Sequence, residues 1–342
     1  MQYARISNFE ISQRSGTTES TILPRCDALL TVAGYEPRST NIINASHEGS
    51  STTFIIRFLS DTTDLDKDQN QNSLSSWAEA HSDQVTVLTG FKSVEINAGF
   101  DTLSDAIFGL YKRTGKPLHV GIDISSLPKS YLMFIIGFGF RSGVIGKLFL
   151  FYSVGIYPET VLANRSQDEL SQHSFTGGEW TSALIPYLEG KLQPGRTRKA
   201  IISLGFDAPQ IGKFLERYDP DTLRVVLPNP GFKDVYSKKV QDELNLLRRI
   251  YSISTDQIRE IAAGDVIGCL NIMRELAEED GFQEKLLLPF GPKTHAISCA
   301  LTGLTVDGVS VVSRIPNRYM RLMTKASGVA LSYSVRDLTA LF

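Results

Sequence analysis

Leu286-Leu287-Leu288-Pro289-Phe290-Gly291-Pro292-Lys293-Thr294-His295 is the stretch on which the fold turns. A short apolar run stops at Pro289, a Gly-Pro-Lys turn follows, and a smooth apolar segment then runs from Ala296 to Leu304. That order predicts strand, tight loop and helix, the junction at which open α/β sheets collect ligands. The N-terminus of such a helix offers unpaired backbone N–H groups to an anion, and a lysine beside it adds a full charge. The construction occurs earlier as well. His119-Val120-Gly121-Ile122-Asp123 leads through Ile124-Ser125-Ser126-Leu127-Pro128-Lys129 into the apolar run Tyr131 to Phe140. Two strand–Pro-Lys–helix units predict a duplicated fold with a shared ligand site.

Working outward, the two halves keep step. Ala28 to Ala33 is a compact apolar run of the kind buried on both faces of a parallel sheet, and it ends at Gly34-Tyr35-Glu36-Pro37-Arg38-Ser39. Ala200 to Leu204 repeats it and ends at Gly205-Phe206-Asp207. Phe54 to Leu59, Val85 to Leu88, Leu118 to Ile124 and Lys147 to Ser153 predict further strands of the first half. Leu223 to Leu227, Lys285 to Leu288 and Val309 to Ser313 do so in the second. Helical spacing separates most of them, whereas 60–76, rich in Asp, Asn, Gln and Ser, predicts a surface loop with a helix starting near Ser73. The fold class expected is α/β, two tandem Rossmann-like parallel-sheet halves related by a pseudo-twofold duplication. The boundaries are an N-terminal arm over 1–24, for which a strand or an irregular segment fits equally, a first domain over 25–160, a connector over 161–197 and a second domain over 198–342.

Composition narrows the function classes. The 342 residues are 42% hydrophobic and 21% charged, the balance of an ordinary globular protein with a sizeable core. A net charge of −2 argues against direct nucleic-acid binding, although a local basic pocket is compatible with it. Cys26, Cys269 and Cys299 form no CxxC pair and suit a reduced, cytoplasmic setting. The first twenty residues carry no apolar signal core, and the longest apolar run is too short for a membrane span. No histidine has metal-ligand spacing, and GxSxG, HExxH and Walker patterns are absent, so neither a metal nor a cofactor is expected.

The candidate ligand-binding residues lie in the four loops. Gly34 and Gly205 let a ligand approach the backbone where the first strand of each half turns. Tyr35 and Phe206 follow them. Glu36 and Asp207 suit a ribose hydroxyl, a general base or a helix dipole equally. Arg38 can grip a phosphate with two nitrogens. Asp123, Ser125, Ser126 and Lys129 offer hydroxyls and charge to a phosphate, while the first three also suit a helix cap. Gly291, Lys293 and His295 occupy the matching loop, and the imidazole of His295 is of the kind that serves acid–base chemistry. Glu36, Asp123, Asp207 and His295 are the catalytic candidates should the chain be an enzyme.

Asp123-Ile-Ser-Ser-Leu-Pro-Lys-Ser-Tyr131 and Leu288-Pro-Phe-Gly-Pro-Lys293 resemble the ligand loop of CARF domains, the Rossmann-like sensors associated with CRISPR immunity. That loop runs aspartate, hydrophobe, hydroxyl, a glycine-rich turn and Thr-Lys. Pro128 and Pro292 stand in place of the threonine, and the first loop lacks the Gly-Gly pair. The resemblance implies paired Rossmann-like domains that bind cyclic oligoadenylates, with Lys129 and Lys293 facing phosphate and Gly34 and Gly205 in the first-strand loops. The expectation is a sensor of a nucleotide or nucleotide second messenger, or the partner subunit of a protein effector, in antiviral defence. The alternative is an enzyme cleaving a nucleotide phosphodiester or glycosidic bond in the same crevice.

Overall fold

The structure is a computed structural model that describes residues 1–59, 64–92, 95–158, 176–190, 197–206, 208–279, 284–319 and 322–340. It divides into two units, one comprising Met1–Tyr131, Phe138–Glu179 and Pro316–Phe342, the other Leu132–Gly137 and Trp180–Ile315.

The first unit is built on an eight-stranded sheet. In chain order its elements are β1 (Gln2–Ile6), β2 (Phe9–Thr17), β3 (Ile22–Leu23), β4 (Cys26–Val32), a 3₁₀ turn (Pro37–Asn44), β5 (Ser46–His47), β6 (Ser50–Phe58), α1 (Leu65–His81), β7 (Ser82–Phe91), α2 (Ile96–Thr114), β8 (Leu118–Asp123), α3 (Lys129–Arg141) and β9 (Ile145–Ile156). Strand β4 lies in mid-sheet because its side chains are apolar on both faces: Ala28, Leu29, Leu30 and Val32 are all buried. It pairs in parallel with β6 on one side and β8 on the other, and β7 and β9 extend the parallel sheet outward. Burying each such Leu or Ile side chain contributes about 1.5–3 kcal/mol.

The second unit repeats the plan with β10 (Thr176–Leu184), β11 (Arg198–Ser203), α4 (Ala208–Tyr218), β12 (Thr222–Pro228), α5 (Asp234–Tyr251), β13 (Ile258–Ile261), α6 (Val266–Glu278), β14 (Glu284–Pro289), α7 (Lys293–Thr305) and β15 (Val309–Tyr319). Strand orders make the duplication explicit. The parallel core of the first sheet runs β9-β8-β4-β6-β7, and that of the second runs β15-β14-β11-β12-β13. Numbered within each half, both read 5-4-1-2-3. Helices α3 and α7 each run thirteen residues, open on a lysine, and take a proline (Pro128 or Pro292) at the N-cap.

Four expectations need correction. Residues 1–24 are not a separate arm: β1 and β2 form an antiparallel hairpin on the first sheet, burying Phe9 and Ile11. The second domain does not run to the C-terminus. Strand β16 (Lys325–Asp337) belongs to the first unit, inserted antiparallel between β9 and β2, where Leu331, Tyr333 and Val335 alternate inward. The stretch 60–76 is largely helix, since α1 starts at Leu65 once Asp64 accepts the Lys67 N–H at 3.3 Å and Asp66 and Asp68 favour its positive end. Finally, part of the connector is strand, because β10 joins the second sheet beside β15; residues 159–175 and 191–196 lie outside the described residues.

Candidate functional site

In each sheet the chain reverses direction between its first and fourth strands, β4 and β8 in one and β11 and β14 in the other. The crevice beyond the carboxyl ends of those strands is where an open α/β sheet receives ligands. The two crevices are occupied differently.

In the first unit the loops after β4 and β8 meet side chain to backbone. A methyl group on Gly34 would lie 3.2 Å from Ser126 Cβ and 3.3 Å from its Oγ. Asn70 of α1 donates to the Gly34 carbonyl at 2.7 Å and braces this turn. Asp123, 2% exposed, accepts the Ser125 N–H at 2.8 Å, and the Ser125 hydroxyl accepts the Ser153 N–H at 2.9 Å. Asp123 and Ser125 thus shape the loop. Ser126 Oγ is buried without a hydrogen-bond partner. Lys129 stands at the first position of α3, partly buried, and Tyr35 is half-buried beside Gly34.

The electrostatic centre is Arg38. It is only 5% exposed, and its Nε donates to Glu36 Oε2 at 2.6 Å. Burial disfavours the guanidinium charge, but Glu36 and the phenols of Tyr157 and Tyr152 outweigh that and push its pKa up. Burial, with Tyr152 next, raises Tyr157 above the usual phenol range, so it stays a neutral donor. Gly155 at the end of β9 leaves the room Arg38 fills: a methyl there would sit 2.7 Å from Arg38 Nη1 and 2.5 Å from Thr324 Cγ2. Asn41 ties the 3₁₀ turn to Ser153 at 2.8 Å.

In the second unit the corresponding loops close on each other. A methyl on Gly205 would collide with the Phe290 carbonyl oxygen, and one on Gly291 with Ser203 Oγ and, at 2.9 Å, the Leu204 carbonyl. His295 is fully buried, its Nδ1 hydrogen-bonded to Ser203 Oγ at 2.8 Å. The neighbouring Thr294 hydroxyl donates to the Ala263 carbonyl. Phe206 packs edge-on against Tyr236, ring centroids 5.8 Å apart. Lys293 is partly buried at the start of α7, and Asp207 lies outside the described residues.

The structure therefore gathers Gly34, Glu36, Arg38, Asp123, Ser125 and Ser126 around one crevice, and Gly205, Gly291 and His295 around another that is packed shut. Sequence reasoning missed Asn70, Tyr152, Tyr157, Gly155 and Thr324. The signal for Gly155 and Tyr157 was present, because one closes and the other follows a strand of the parallel core. Thr324 carried none, since only the return of β16 brings it there. Among the described residues no cluster of three metal-ligating side chains forms and no helix is long and apolar enough to cross a membrane.

No family model and no curated protein matches the chain. Solved structures similar to it at low identity include the following. The cytoplasmic domain of a prokaryotic cation chloride cotransporter has 8% identity and a TM-score of 0.25, over 86% of this chain and 96% of that one. A functionally unknown protein from Pseudomonas aeruginosa PAO1 has 9% identity and a TM-score of 0.26, over 85% and 93%. A putative universal stress protein from Pseudomonas aeruginosa UCBPP-PA14 has 10% identity and a TM-score of 0.27, over 85% and 94%. Likeness at this level carries no functional argument.

Proposed function

We propose that the first unit binds a nucleotide-type ligand in the crevice beyond β4 and β8. The chain then works as a sensor or partner subunit. The observation that carries this reading is the approach of Gly34 to Ser126 at the switch point of the sheet, beside the buried guanidinium of Arg38. Glycine admits a ligand to the backbone, the serine hydroxyl and the start of α3 suit a phosphate, and arginine supplies the charge. The finer assignment, a CARF-like sensor of a nucleotide second messenger acting with a protein effector in antiviral defence, rests on the resemblance of the two Pro-Lys loops.

Sensor is preferred to enzyme because the acid–base candidates within the described residues are engaged in structure. Asp123 holds the Ser125 N–H, Glu36 holds Arg38, and His295 holds Ser203 in a fully buried position. The test is mass spectrometry of small molecules released on heating the purified protein, paired with isothermal titration of the compound recovered. An intact nucleotide that rebinds supports the sensor. Recovery of a cleaved product, with turnover on incubation, supports the enzyme that cuts a phosphodiester or glycosidic bond.

A further inference from the structure

We propose that Arg38 is an oxyanion receptor held shut by Glu36, and that a phosphate-type anion opens it by displacing the Glu36 carboxylate and gaining Thr324 as a second contact. This deepens the nucleotide-binding reading and rests on it for the identity of the larger ligand.

Three observations converge. The first is the incomplete partnering of Arg38. A guanidinium presents five donors in a planar fork matched to two oxygens of a carboxylate or phosphate. Glu36 takes the Nε side at 2.6 Å, while Nη1 is buried without a hydrogen-bond partner. The second is Thr324, 1% exposed, whose Oγ1 is likewise buried and unpartnered. Its methyl carbon Cγ2 and Arg38 Nη1 both press on the point above Gly155, so the two residues meet there. The third is Ser126 Oγ, a further unpartnered hydroxyl across from Gly34 in the same crevice.

A buried polar group left without a partner costs about 1–3 kcal/mol. Packing gives no reason to collect a guanidinium nitrogen and two hydroxyls in that condition at the carboxyl ends of β4, β8 and β9. An oxyanion sets two oxygens across the arginine fork and offers a third to the Thr324 hydroxyl. Glu36 already supplies negative charge there, and two anions cannot share the fork. Its carboxylate, 15% exposed against 5% for Arg38, is the partner nearer solvent and so the one that leaves. Binding therefore carries the cost of breaking a short ion pair, and the resting site is selective against weak anions.

Two substitutions test this. Glu36→Gln keeps an acceptor oxygen for Arg38 but removes the competing charge. Thr324→Val removes the hydroxyl and keeps the shape. Isothermal titration with inorganic phosphate and, separately, with adenosine monophosphate is expected to show affinity for both rising about tenfold in E36Q. T324V is expected to lose affinity several-fold with Tm unchanged or raised, because an unsatisfied buried hydroxyl is gone. Phosphate affinity in E36Q equal to or below wild type overturns the latch, as does T324V affinity equal to wild type, which keeps the test decisive if E36Q fails to fold. Adenosine monophosphate binding equally to wild type and E36Q sinks the latch while leaving nucleotide binding standing. A phosphate gain in E36Q with no response to the nucleotide in any variant upholds the latch and sinks the nucleotide reading.

Discussion

Arg38 and Glu36 form a short ion pair at 2.6 Å inside the first unit, with the arginine almost wholly removed from water. Breaking such a pair from one side leaves an uncompensated buried charge. Arg38→Met is therefore expected to destabilise the protein by about 3–5 kcal/mol, and the double substitution with Glu36→Leu to recover much of that loss. Urea unfolding of the two single variants and the double variant measures the coupling. Additive losses would mean that the pair contributes nothing as a unit.

The two switch-point glycines should respond differently to a methyl group. Gly205→Ala drives Cβ into the Phe290 carbonyl, which is backbone and cannot step aside, so a loss of about 1–3 kcal/mol or more is expected. Gly34→Ala meets Ser126 at 3.2 Å, so its main effect falls on ligand affinity. Equal losses of stability in the two variants, by thermal unfolding, would contradict the contrast between a rigid backbone contact and a side chain that can give way.

Much of this arrangement was legible in the sequence, and the reasons are local. A glycine after an apolar run and a Pro-Lys pair before another need only their neighbours to declare a turn and a helix start, so the repeated strand–loop–helix units followed from them. Helix α1 was hidden because its buried face is little more than Leu74, Trp77 and Ala78 among polar residues. Strand β16 is fixed by pairing with β2 across almost the whole chain length, which no short window records. The depth of Arg38 was hidden because it depends on Glu36 and on the gap at Gly155. His295 read as a titrating group for the same kind of reason: only the fold shows Ser203 against its ring and no exposure to solvent.

His47 sets a pH window. Burial, with His81 second, lowers its pKa from 6.5 to about 4, so the folded chain binds fewer protons there than the unfolded chain does. Stability is thus expected to fall as pH drops from 6.5 toward 4, with no further loss from this group below that. His47→Phe should flatten the profile across that interval in urea titrations at successive pH values. An unchanged slope in the variant would remove His47 as its cause.

Glu279 acts lower on the scale. Burial works against its charge, but hydrogen bonds from Lys199 (3.1 Å) and Arg224 (3.1 Å) prevail and hold its pKa below the ordinary carboxylate value. A depressed carboxylate stabilises the fold above its unfolded pKa, and the contribution is lost as pH falls through the folded one. Glu279→Gln should therefore weaken the protein at neutral pH and narrow its gap to wild type under acid conditions. A gap that stays constant as the carboxylate range is crossed would contradict the assignment.

The most direct test of the central claim is the shift in Tm of the wild-type chain and of Gly34→Val across a panel of mono-, di- and cyclic nucleotides. A ligand at a hundredfold excess over its Kd stabilises the native state by about 2.7 kcal/mol, a shift of several degrees. The account predicts that at least one nucleotide raises Tm in the wild type and that the Gly34→Val variant, its crevice filled, does not respond. A wild-type Tm unmoved by every nucleotide, or a shift of equal size in the variant, would contradict binding beyond β4 and β8.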